Sequence, residues 1–161
     1  MTAAANKPTA GDTDREIMET RVLNAPRELV WRAWTDPAHI SNWWGPDGFT
    51  TTTETMDVRP GGLWLHVMHG PDGTDYPNRT EYIEVQEPAR IVYRNSGNTK
   101  ERSDVSFVSH IDLIDLNGRT EIRIRLVFDS AEMRDAAARE YGAVEGLQQM
   151  LVRLDRYLPN Y

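Results

Sequence analysis

The C-terminal segment constrains this chain most. Met133, Ala137, Tyr141, Val144, Leu147, Leu151, Leu154 and Leu158 recur at an average spacing of about 3.6 residues, the period of an α-helix with one apolar face. The spacing predicts one long helix from Ser130 to Leu158, capped by Asp129 with Glu132 at the capping-box position and closed by Pro159. Gly142 and Gly146 stand one turn apart within it. Each costs about 1 kcal/mol relative to alanine, and the pair either thins one helix face or bends the helix. An apolar stripe of this length has to lie on a second element large enough to cover it.

The residues before it read as strands. Thr120, Ile122, Ile124, Leu126 and Phe128 alternate with Glu121, Arg123 and Arg125, the period-two pattern of a strand with one covered face and one wet face. Asn117-Gly118 joins it to a strand at 104–114 through a two-residue hairpin signal. Further strands are expected at 15–24, 49–58, 63–69, 80–85 and 90–94, separated by Pro60-Gly61-Gly62 and by Gly70-Pro71-Asp72-Gly73. Two short helices follow the first strand. Pro26 suits a first helical turn, Leu29, Val30, Ala33 and Trp34 form a stripe, and Asp36 before Pro37 ends it. The second is expected from His39 to Trp44. Residues 1–13 read as a disordered tail and 14–161 as a single domain. Strands in a run with segregated helices make the fold α+β, with the long helix on an antiparallel sheet.

Composition narrows the partners. The formal net charge is -7 with both signs interspersed, so no nucleic acid is expected to bind. Cysteine is absent, which removes disulfides, thiolate nucleophiles and cysteine-based zinc sites and suits a reducing cytoplasm. No apolar run approaches the roughly 18 residues of a membrane span, and the N-terminus lacks the apolar core of a signal peptide. His66 and His69 are three apart on a strand and point to opposite faces, so they cannot share a metal. Neither a metal nor a cofactor is expected.

A curved sheet gripping one helix leaves a gap between them. Trp43 and Trp44 close the second short helix; Trp64, His66 and Met68 share one strand face; Tyr82 and Glu84 share another. Tyr93 and Phe107 come from neighbouring strands, and Tyr141 from the helix. Mostly aromatic and apolar groups with a few polar ones suit a ligand site, although the same spacing also suits plain core filling. His66 and Glu84 are the acid–base candidates, because burial would lower the imidazole pKa and raise that of the carboxyl.

Several runs are distinctive in combination. Ala25-Pro26, then Val30-Trp31-Arg32-Ala33-Trp34-Thr35-Asp36-Pro37, resembles the START-like, or SRPBCC, superfamily. Trp43-Trp44-Gly45-Pro46, Asp57-Val58-Arg59-Pro60-Gly61-Gly62, Met68-His69-Gly70-Pro71-Asp72-Gly73 and Tyr141-Gly142-Ala143-Val144-Glu145-Gly146 resemble its branch of homologues of the activator of the heat-shock-protein-90 ATPase. The resemblance covers about residues 15–158 and implies the helix-grip fold of the birch-pollen allergen: a curved antiparallel sheet of about six or seven strands around a long C-terminal helix. It further implies an internal cavity for a small hydrophobic ligand such as a lipid, polyketide or aromatic metabolite. A cyclase or isomerase enzyme and a chaperone partner are the alternatives that the superfamily offers, and a homodimer is left open.

Overall fold

The computed structural model describes residues 14–97, 106–140 and 142–160. The tail expected over 1–13 and the side chain of Tyr141 lie outside the described residues. Seven strands form one antiparallel sheet: β1 (Glu16–Leu23), β2 (Thr50–Met56), β3 (Leu63–His69), β4 (Asp75–Gln86), β5 (Arg90–Gly97), β6 (Ser106–Asp115) and β7 (Thr120–Phe128). Their spatial order is β1-β7-β6-β5-β4-β3-β2, a meander whose first strand closes onto the last.

The register follows burial. Phe107 stands opposite Phe128, Ile111 opposite Ile124, and Leu113 opposite Ile122, so the apolar sets of β6 and β7 share the inner face. The turn between them has Asn117 at φ 58° and Gly118 at φ 97°, the left-handed pair that a two-residue hairpin requires. β4 starts earlier than its sequence pattern indicates and β5 runs on to Gly97, which deepens one wall of the sheet. Between Tyr82 and Glu84 the β4–β5 register shifts, with Tyr82 opposite Tyr93 and Glu84 opposite Val92. This bulge absorbs Ile83 and breaks the period of two, so Tyr82 faces in while Glu84 faces out.

The short helices are α1 (Arg27–Thr35) and α2 (Pro37–Ile40). α1 buries Val30, Trp31, Ala33 and Trp34 and stops where Asp36 turns extended before Pro37. The Asp36 carboxylate accepts the Ala38 N–H at 2.9 Å and caps the next helix. That cap, with Pro37 in the first position, starts the second helix earlier than the expected span of His39 to Trp44, and the remainder of that span is turn.

The C-terminal helix covers the inner face, as in a helix grip, but it is two segments rather than one run. α3 (Ala131–Glu140) and α4 (Ala143–Tyr157) meet at Gly142, whose φ of 60° and ψ of 39° lie in the left-handed region. Ser130, rather than Asp129, caps α3 by accepting the Met133 N–H at 3.1 Å. α4 buries Leu147, Met150, Leu151 and Leu154, each worth about 2 kcal/mol of transfer free energy. α3 buries no residue fully. The solid core, with Leu23, Ile91, Ile122 and Leu154 each at most 1% exposed, therefore lies under α4. The space under α3 is filled less completely.

Candidate functional site

Under α3 and the start of α4, the inner face of the sheet borders a half-open cavity of about 510 Å3. Its apolar wall comes from Ile124, Leu126 and Phe128 of β7, Phe107 of β6, and Met133 and Ala137 of α3. Trp44, Gly45 and Pro46 close one side. They are held there by Arg153, whose Nη1 donates to the carbonyls of Gly45 at 2.8 Å and Pro46 at 2.9 Å. The opposite wall carries polar groups: Asn78 of β4, Asn95 and Ser96 of β5, and Ser109 of β6. Ser109 Oγ donates to Asn95 Oδ1 at 2.6 Å, and Asn78 Nδ2 donates to the Tyr76 carbonyl at 2.7 Å.

His66 also lines the cavity, only 3% exposed. Alternation along β3 aims it inward beside Trp64 and Met68. Its Nδ1 is buried and meets no hydrogen-bond partner among the described residues. Burial pushes its pKa down to about 3, so the ring is neutral at physiological pH. Burial also pushes up the pKa of Tyr93, another lining residue.

The sequence-expected residues divide into three groups. Trp44, His66, Met68, Tyr93 and Phe107 line the cavity. Trp43, Trp64 and Tyr82 are buried behind it. Trp43 Nε1 donates to the Ala33 carbonyl at 3.1 Å, and Trp64 Nε1 to Thr53 Oγ1 at 3.1 Å, so both have structural duties. Glu84 does not reach the cavity. It lies on the outer face, 37% exposed, with Arg90 Nε at 3.3 Å. The bulge at Ile83 thus separates Glu84 from His66, and the acid–base pair expected of them does not form. His69 likewise faces out, where Asp75 Oδ1 at 2.7 Å and Thr52 Oγ1 at 2.9 Å hold it. Among the described residues, no group of three or more histidine or acidic side chains is placed to hold a metal ion.

Sequence reasoning passed over Asn78, Asn95, Ser109 and Glu140. Ser109 and Asn95 had a usable signal, since each continues the inward alternation that places Phe107, Ile111 and Tyr93.

The sequence profile of activator of Hsp90 ATPase homolog 1-like proteins matches residues 24–159. The chain belongs to this family. Solved structures similar to this activator-homologue chain come from several bacteria. A protein from Arthrobacter aurescens has 24% identity and a TM-score of 0.86, with 95% of this chain and 91% of that one covered. One from Nitrosomonas europaea has 22% identity and a TM-score of 0.80, with 94% and 99% covered. One from Chromobacterium violaceum has 25% identity and a TM-score of 0.76, with 89% and 96% covered. A comparison with curated proteins finds no match. The activator-homologue family and these neighbours fix the helix-grip architecture. No described helix is long and apolar enough to cross a membrane.

Proposed function

We propose that this chain binds a small hydrophobic molecule in the cavity between its sheet and its C-terminal helices. The observation that carries the reading is the hollow itself. A volume of about 510 Å3 falls in the range of small-molecule sites, and such a space under a helix has a cost in lost packing unless something occupies it. Apolar walls supply affinity by excluding water. The polar groups at Asn78, Asn95, Ser109 and His66 orient what enters. With Glu84 outside, the acid–base pair expected of it and His66 does not form, which favours binding over turnover.

Native mass spectrometry of freshly purified protein, followed by a thermal-shift screen of lipids, polyketides and aromatic metabolites, tests this reading. A co-purified small molecule or saturable stabilisation is expected. Absence of both, together with stimulation of the cognate heat-shock-protein-90 ATPase, would replace it with the co-chaperone reading that the family name carries.

A further inference from the structure

Charge, more than shape, narrows what this cavity takes. The inference rests on the ligand-binding reading and names the ligand's chemical class. Among the described residues lining the hollow, Glu140 is the sole aspartate, glutamate, lysine or arginine. Among the described residues, the basic side chains nearby are engaged by other groups. Arg153 holds the carbonyls of residues 45 and 46, Arg21 pairs with Asp155 at 2.9 Å, and Arg134 donates to the Glu16 carbonyl at 3.2 Å. His66 is no ready substitute for them, because burial holds a ring 3% exposed and stacked on Trp64 neutral, and drawing a proton onto it would cost part of what a ligand carboxylate gains there. A ligand carboxylate would therefore lose hydration without meeting a cation among the described lining residues, and Glu140 would repel it.

The neutral polar groups, by contrast, are arranged to receive a neutral oxygen. Ser109 occupies Asn95 Oδ1, so the amide that Asn95 has left is a donor. Asn78 spends one N–H of Nδ2 on the Tyr76 carbonyl, which leaves its second N–H as a donor and its Oδ1 as an acceptor. His66 Nδ1, buried and without a partner among the described residues, is a third position that a ligand group can satisfy. We propose that the ligand is an uncharged apolar molecule carrying a carbonyl or hydroxyl oxygen, and that the cavity selects it over carboxylates of the same skeleton.

Matched probes test this by isothermal titration calorimetry at neutral pH. The pairs are 2-acetylnaphthalene with 2-naphthoate, and 1-dodecanol with dodecanoate. The neutral member of a pair should bind saturably and about tenfold or more tighter than its carboxylate, the factor expected for one unsatisfied buried group. Glu140 is exposed at the cavity edge, so Glu140→Lys should fold normally and narrow the gap by strengthening carboxylate binding alone. Carboxylates that bind as tightly as their neutral partners would overturn this selectivity while leaving ligand binding intact. No saturable heat from any of the four probes would instead count against the binding reading, and this proposal would fall with it.

Discussion

The imidazole of His66 lies flat on the Trp64 indole, ring centroids 3.7 Å apart and planes 17° apart, with Trp44 edge-on at 6.1 Å. Burial in this aromatic corner takes the His66 pKa from 6.5 to about 3. The unfolded chain therefore holds the proton more tightly than the folded one between those values. Stability is complete above about pH 6.5 and falls as pH falls toward 3. From pH 7 to pH 5, this group should remove about 2 kcal/mol from the free energy of unfolding. His66→Gln should lose that portion of the pH dependence. Denaturant titrations of both proteins at the two pH values check it, and identical pH dependence in the two would contradict it.

Arg153 closes the cavity's tryptophan side by donating to backbone carbonyls at 2.8 and 2.9 Å. Arg153→Met keeps the aliphatic stem and leaves those carbonyls without their charged donor. A loss of about 2 kcal/mol in chemical denaturation is expected, because a bond from a charged donor to a part-buried acceptor is worth more than a neutral one. A change within about 0.5 kcal/mol, the range of ordinary surface substitutions, would show that the loop holds its place unaided.

Gly142 joins α3 to α4 with φ of 60°, and a Cβ there would meet nothing closer than Glu145 Oε1 at 3.9 Å. Space is therefore no obstacle, and backbone strain alone decides. Gly142→Ala should cost about 1 kcal/mol, and Gly142→Asn less, because asparagine tolerates the left-handed region. Equal stability of the alanine variant and the native chain would mean that the two helices rejoin as one.

α3 buries no side chain fully, whereas α4 buries four leucine or methionine residues. Amide hydrogen exchange should be faster over 131–140 than over 147–154. Addition of a cavity-binding probe such as 2-acetylnaphthalene should slow it over 131–140. Equal protection of both helices without ligand would contradict this difference.

Much of the fold was legible because burial on one face imposes alternation. β3 and β7 lie on the residues whose pattern marked them, and the order of elements led to a sheet with a covering helix. Asp75 to Asn78 escaped notice because Asp75, Pro77 and Asn78 read as loop, although the segment pairs with β3 from His69 to His66. The bulge at Ile83 was invisible locally. It arises because Tyr82 has to meet Tyr93 and Val85 has to meet Ile91, one residue more on one strand than on the other. That pairing sends Glu84 outward. Gly142 was marked as a place where the helix thins or bends, but the full break was hidden because the apolar stripe keeps its period on both sides of it. In the site, weight given to aromatic residues found Trp44, His66 and Phe107 but missed the small polar Asn95 and Ser109 that share their face.

The proposed function requires the space beneath α3 to be hollow and to take an apolar guest. Chemical-shift mapping of isotope-labelled protein titrated with 2-acetylnaphthalene tests it most directly. Saturable shifts should concentrate on Trp44, His66, Phe107, Ser109, Met133 and Ala137, all of which line that space. Shifts confined to the outer-face residues Glu84, Arg90 and His110, or no saturable shift from any neutral apolar probe, would mean that the interior is closed to ligands.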